Sequence, residues 1–233
     1  MSVETEYMWW RAVSITYILR PNAATLALMD NFRDPVVKAT EGRCISVYVR
    51  HGDKGSEMKL VPFTQYADAA LRVFQNTSQA LENIGATELA HRAAAPGSGT
   101  IARGKVMFIA TEDPDVIQEA MTWGVANNIH VRFTALNMQI LGDKKTAVNP
   151  GEIERNLPAH REYEYVSYLV HLAENVKCSV NICTIPSNYC RLIEELRGTV
   201  GGKANQLNID VSSETCASPP CFRYIVISCI ILV

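Results

Sequence analysis

The chain alternates short apolar runs with longer segments whose apolar residues recur at helical spacing. Residues 44–50, Cys-Ile-Ser-Val-Tyr-Val-Arg, are rich in β-branched side chains and stop at a charged cluster around Gly52. Such a run predicts a buried strand. Residues 63–84 carry Ala70, Val73 and Phe74 on one helical face. The alternation then repeats. Strands are expected at 105–111, 130–134 and 179–184. Helices are expected from the Asp113-Pro114 start to about 127, at 161–177 and at 188–197. Residues 85–104, with Ala-Ala-Ala-Pro-Gly-Ser-Gly, read as a flexible loop, and 135–158 as irregular chain. Ahead of the first strand, 8–19 forms an amphipathic helix ended by Arg20-Pro-Asn22. A second short helix follows at 23–31, then a polar loop at 31–41. Strands alternating with helices of this length imply an α/β fold, a Rossmann-like parallel sheet flanked by helices. The expected organisation is an N-terminal helical segment (1–42), the sheet domain (43–211) and a C-terminal loop with an apolar tail (212–233). There is no internal repeat.

Composition narrows the function classes. The 233 residues are 48% hydrophobic and 20% charged, with a net charge of -2, as for an ordinary globular protein. That balance argues against nucleic acid or an anionic membrane as a partner, so any positive site is a local pocket. The start, Met1-Ser-Val-Glu-Thr-Glu6, is acidic and unlike a secretory leader. The apolar stretch 222–233 falls short of the roughly 20 residues that span a bilayer. It reads as a last buried strand, the remnant of a tail anchor, or a truncated or mistranslated end.

Seven cysteines are many for such a chain, yet none forms a Cys-x-x-Cys pair and there are 5 histidines. No zinc site is expected. Cys183 and Cys190 flank a strand-to-helix turn, and Cys216 and Cys221 flank a Pro-Pro loop. Both pairs are candidate disulfides, which would imply an oxidising compartment. The alternative is that all seven are small buried hydrophobes. Asn76-Thr-Ser78 is a glycosylation sequon inside an expected helix.

In a parallel sheet, three charged strand ends share one edge: Arg50-His51-Gly52-Asp53-Lys54, Thr111-Glu112-Asp113, and Thr184-Ile185-Pro186-Ser187-Asn188. Ligands of open α/β sheets bind at that edge. Arg50 can direct two N–H donors onto a diphosphate. Ser187 and Asn188 open a helix whose N-terminal amides favour an anion. Together they could stabilise a departing nucleoside diphosphate without a metal. The plainer reading is a turn with a surface ion pair and a helix cap, with Trp9, Trp10, Phe74 and Phe108 as core. No Gly-x-Ser-x-Gly elbow or Gly-x-Gly-x-x-Gly loop points to a common hydrolase or dinucleotide enzyme.

Four segments, in order and at similar spacing, resemble the α1,6-fucosyltransferases, which include the N-glycan core enzyme and the bacterial chitooligosaccharide-modifying nodulation enzyme. Trp9-Trp10-Arg11 through Tyr17-Ile-Leu-Arg-Pro-Asn22 is similar to the family's Trp-Trp…Tyr-Leu-x-Arg-Pro helix. Tyr48-Val-Arg-His-Gly-Asp-Lys54 resembles its His-Val-Arg-Arg-x-Asp-Lys signature. Phe108-Ile-Ala-Thr-Glu-Asp-Pro114 resembles its Ala-Thr-Asp-Asp-Pro. Cys183-Thr-Ile-Pro-Ser-Asn-Tyr-Cys-Arg191 resembles its Cys-Thr-Phe-Ser-Ser-Gln-x-Cys-Arg.

The resemblance implies the nucleotide-binding half of a GT-B glycosyltransferase. It implies inverting transfer of fucose from GDP-fucose to a sugar hydroxyl, with no metal and no other cofactor. Arg50 takes the place of the diphosphate-binding arginine, and Asp53 and Lys54 match the signature's acid and base. Glu57 resembles the glutamate that deprotonates the acceptor, one residue closer in this chain. Glu112 and Asp113 fall on the acidic pair and Ser187 on a phosphate-contacting serine, with His51, Thr184 and Asn188 beside them. Cys183 and Cys190 match a disulfide pair. The implied compartment is the Golgi or secretory lumen, and the implied acceptor an oligosaccharide or glycoprotein.

Three departures stand out: Tyr48 replaces a nucleotide-contacting histidine, His51 an arginine and Pro186 a serine. The guanine-reading aspartate is missing from 168–175, leaving His171, Glu174 and Asn175 as candidates to replace it. The resemblance spans roughly 9–210, the donor half, so the acceptor half would come from a preceding segment or a partner chain. The alternative is a catalytically inactive nucleotide-sugar-binding fragment or module.

Overall fold

The computed structural model describes residues 3–51, 59–83, 105–134, 158–203 and 206–212. Helices α1 (Val3–Ile18), α2 (Ala23–Phe32) and α3 (Pro35–Ala39) precede strand β1 (Ile45–Val49). Strands and helices then alternate: α4 (Phe63–Asn83), β2 (Val106–Thr111), α5 (Pro114–Asn127), β3 (His130–Arg132), α6 (Pro158–Lys177), β4 (Val180–Cys183), α7 (Asn188–Gly198) and β5 (Asn208–Asp210). The strands pair in the order β3-β2-β1-β4-β5, all parallel. This is the α/β, Rossmann-like arrangement expected from the alternation.

The run Ile45-Ser-Val-Tyr-Val49 is buried along its whole length because β1 is central and covered on both faces. Its period of two divides the core. Ile45, Val47 and Val49 pack with Ile109, Ile182, Phe63 and Ile117, under α4 and α5. Tyr48 packs on the other face with Phe108, Cys183, Cys190 and Ile193, under α6 and α7. Strands β2 and β3 lie to one side of β1, and β4 and β5 to the other. The strand order therefore reverses between β1 and β4, the topological switch point where α/β sheets open a ligand crevice.

The N-terminal helices join this second layer. Arg11 Nη2 reaches Glu195 Oε1 at 2.8 Å, and the Thr16 and Thr199 hydroxyls meet at 2.8 Å, docking α1 on α7. Met29 packs with Val166 and Val170, docking α2 on α6.

Several elements differ from the sequence reading. The expected loop at 31–41 contains α3. Asp34 caps it, accepting from Val36 N and Val37 N at 2.8 and 3.0 Å, with Pro35 opening the helix. This Asp-Pro start is the signal that also opens α5. The third strand is three residues long, since its pairing with β2 ends at Arg132. Strand β5 was not anticipated. It is too short for periodicity to register and is recruited by pairing with β4. Trp10, read as core, is 64% exposed, whereas Phe108 is fully buried.

Among the described residues there are two disulfides. Cys183–Cys190 is the pair expected at the strand-to-helix turn. Cys44–Cys178 was read only as buried thiols, yet it ties the residue before β1 to the residue after α6, with Cα atoms 4.8 Å apart. Cys216 and Cys221 lie outside the described residues. Disulfides of this kind are consistent with a secreted or lumenal protein. Among the described residues no helix is long and apolar enough to cross a membrane.

Candidate functional site

At the C-terminal edge of the sheet, β1 ends in Arg50-His51 and β2 in Glu112-Asp113. Val49 pairs with Thr111, so Arg50 and Glu112 are the next residues on adjacent strands. Arg50 Nη1 donates to Glu112 Oε1 at 2.6 Å, with side chains 11% and 8% exposed. The same oxygen accepts from His51 N at 2.9 Å. Burial raises the Glu112 carboxyl above its ordinary range, and the nearby Arg50 guanidinium only partly offsets that.

His51 is held at both ring nitrogens. The Val61 carbonyl can only accept, so Nε2–H donates to it at 2.9 Å. Nδ1 lies 2.7 Å from Asp113 Oδ2. Asp113 also caps α5, accepting from Asp115 N at 2.9 Å, and its own N–H donates to Thr111 Oγ1 at 3.1 Å. Two basic and two acidic side chains thus interlock across the ends of β1 and β2, tied through Val61 to the approach to α4.

Across the switch point, Val47 pairs with Ile182, which puts Thr184 level with Val49. The turn after β4 is tight. Ser187 N donates to Thr184 O at 3.0 Å, and Ile185 N to Asp210 Oδ1 at 3.2 Å. Thr184 and Ser187 are buried, while Asn188 is exposed and its Oδ1 accepts from Arg191 Nη2. Ser187 is the N-cap of the 11-residue α7, yet its side chain makes no capping bond. The first amides of α7 therefore keep their donor capacity and the positive end of the helix dipole. Cys183–Cys190 pins the last residue of β4 to the first turn of α7 and so brackets this segment.

Aromatic rings pack beside the crevice. Tyr48 and Tyr189 lie with centroids 4.6 Å apart, and Tyr189 O–H donates to the Tyr168 carbonyl at 2.9 Å. Burial, reinforced by Glu112, pushes the Tyr48 phenol well up. Tyr66 on α4 is fully buried. Burial raises its phenol too, the neighbouring Thr184 hydroxyl opposes this, and Glu112 and Asp210 add to it. Sequence reasoning missed Tyr66 and the Val61 carbonyl. The only signal for Tyr66 was its helical spacing with Phe63 and Ala70, which says core before it says site.

The three candidate base readers are built into the interior. His171 Nε2 meets Thr134 Oγ1 at 2.8 Å, and burial lowers its pKa to about 4. Glu174 pairs with Arg33 Nε, and Asn175 Nδ2 donates to His171 O at 2.6 Å. Each is 5% exposed or less. Of the remaining expected site residues, Asp53, Lys54 and Glu57 lie outside the described residues. Among the described residues no three His, Cys, Asp or Glu side chains group as metal ligands.

No family model matches the chain, and no curated protein is detectably similar to it.

Proposed function

We propose that this chain binds GDP-fucose at the β1/β4 switch point and is a fucosyltransferase of the inverting, metal-independent kind. The observation that carries the reading is the pairing of Arg50, braced by Glu112, with the side-chain-uncapped start of α7 on the neighbouring strand. Both are anion-binding devices, and they flank one crevice.

In the proposed reaction, Arg50 and the α7 amides hold the diphosphate, with Ser187 and Asn188 at the helix start. The acceptor hydroxyl attacks fucose C1 from the face opposite the phosphate. The C1–O(phosphate) bond breaks and its electrons leave on GDP. The acceptor's proton passes to Glu57, while Lys54 and Arg50 offset the charge that builds on the leaving phosphate. The acceptor is a sugar hydroxyl on an N-glycan core or a chitooligosaccharide. The two disulfides favour an oxidising compartment, for which we propose the Golgi lumen.

One observation favours a second reading, a nucleotide-sugar-binding module without transfer. His51 stands where the family carries an arginine, and both its nitrogens are engaged by Asp113 and Val61.

Calorimetric titration with GDP and GDP-fucose, beside a folded Arg50→Ala control, tests the site. Binding that disappears in the control supports it, and adding a chitooligosaccharide then separates transfer from binding alone. No binding by folded wild-type protein overturns both readings.

A further inference from the structure

One chemistry-bearing motif lies outside the switch-point crevice. Asn76-Thr-Ser78 is the single Asn-x-Ser/Thr sequence in the chain. Its middle residue is not proline, so it has the form that N-glycosylation requires.

The structure puts Asn76 on the outer face of α4. The inner face is apolar, with Phe63, Tyr66, Ala67 and Ala70 buried in the core shared with α5. At about 3.6 residues per turn, the opposite face carries Gln65, Asp68, Arg72, Gln75 and Asn76, all of them exposed. A glycan on Asn76 therefore disturbs no buried contact of the helix. Position along the helix matters as well. The chain leaves β1 at the C-terminal edge of the sheet, where the Val61 carbonyl meets His51, and α4 carries it back toward the edge where β2 begins. Asn76 stands about 20 Å along the axis from Phe63. A sugar chain there leaves Arg50 and the start of α7 uncovered.

The order of synthesis opens the motif to modification. The apolar face of α4 packs with Ile109, Ile117 and Ile182, all of which follow it in the chain. Most helical stability in a protein comes from such packing. As residues 76–78 emerge, the core that would fix them in a helix has not been made, and the Asn76 amide is accessible.

We propose that Asn76 is an N-glycosylation site, with a lipid-linked oligosaccharide diphosphate as the donor. The amide nitrogen attacks C1 of the first sugar. A C–N bond forms, the C1–O(phosphate) bond breaks with its electrons leaving on the lipid diphosphate, and the amide gives one proton to the transferase. The inference rests on the lumenal reading that Cys44–Cys178 and Cys183–Cys190 favour.

The test expresses the full chain behind a cleavable secretory leader in eukaryotic cells. Gel mobility is compared before and after digestion with peptide N-glycosidase, which converts a glycosylated asparagine to aspartate. Peptide mass spectrometry locates that conversion, and unfolding curves check each variant. The wild type should lose one glycan on digestion, with the conversion at position 76. Asn76→Gln and Ser78→Ala should each abolish the mobility shift, and Ser78→Thr should keep it. A wild type that folds in the lumen with both disulfides formed, yet carries no glycan, overturns the site and leaves the lumenal reading standing. A glycan that persists on Asn76→Gln overturns the assignment to this residue. A chain that folds only when kept reduced in the cytosol overturns the lumenal reading and the site with it.

Discussion

The two ends of β1 are secured in different ways. At its C-terminal end the contacts run between ionisable side chains, Arg50 to Glu112 and His51 to Asp113. At its N-terminal end the contacts are covalent or run to the backbone. Cys44 is bonded to Cys178, Ser179 N donates to the Cys44 carbonyl at 3.0 Å, and the buried Arg197 guanidinium donates to the carbonyls of Asn175, Cys178, Ser179 and Leu207. Bonds aimed at backbone carbonyls can do little except hold the chain. Ion pairs between side chains hold it too, and they can also re-partner when a charged ligand arrives. A stiff base beneath an adaptable rim is the arrangement expected where a scaffold carries a site.

The largest effects should come from cutting the base. Cys44–Cys178 closes a separation of 134 residues, and Cys183–Cys190 one of 7. In the chain-entropy description, the first contributes up to about 5 kcal/mol and the second about 2 to 3. Urea unfolding of the two paired Cys→Ala variants should reproduce that order, and the reverse order would break the comparison. Arg197→Met comes next. It leaves four carbonyls short of a donor in a site where burial lowers the guanidinium pKa to about 10. A loss of about 3 to 4 kcal/mol is expected, with GDP binding retained by the fraction that stays folded.

Smaller effects should follow pH. His171 is buried neutral with a pKa of about 4. Its contribution is complete above an unfolded value near 6.5 and drains away as pH falls toward 4. Glu194 runs the other way. Burial lifts its carboxyl to about 7, against the pull of Asn208 and Arg197. Its contribution is complete below about 4.5 and is lost as pH rises through 7. Each is worth up to about 3 kcal/mol, and over the shared interval the two oppose. The stability lead of wild type over His171→Gln should therefore grow from pH 4 to 6.5. Its lead over Glu194→Gln should shrink from pH 4.5 to 7. Parallel profiles for wild type and both variants would mean that neither group titrates differently on folding.

The same contrast explains what could be read in advance. The rim was legible because its chemistry is local: Arg50-His51 and Glu112-Asp113 stand at the ends of apolar runs, and a parallel sheet brings such ends together. The base was not. Cys44 and Cys178 carry no mutual spacing signal, and Arg197 looks like any basic residue closing a helix. Only the pairing of β4 with β1 and β5 makes those positions neighbours. Short elements were lost for a related reason, since three residues such as Asn208–Asp210 hold no period. The candidate base readers show the reverse. His171, Glu174 and Asn175 are polar and fall in the stretch that the resemblance singles out, and helical phase turns all three inward, to 5% exposure or less.

The smallest expected effect on stability is at the rim, and it is the sharpest test of the comparison. Burial raises the Glu112 carboxyl despite Arg50 beside it. By linkage, the ionised carboxylate suits the fold less well than the neutral form does. Its stabilising contribution is complete below the unfolded value and is lost as pH rises through the raised one. Glu112→Gln keeps an oxygen able to accept from Arg50 Nη1 and His51 N while removing the charge. At pH 7 the variant should therefore match wild type or exceed it by no more than about 1 kcal/mol, and any advantage should vanish near pH 4. On the proposed donor site, the variant should nonetheless bind GDP about tenfold more weakly, because the guanidinium keeps a bond to a neutral oxygen but loses the carboxylate charge that helps to orient it. Tighter GDP binding would mean that Glu112 competes with the diphosphate for Arg50 instead of presenting it. A stability loss as large as that of Arg197→Met would mean that the rim is as structural as the base.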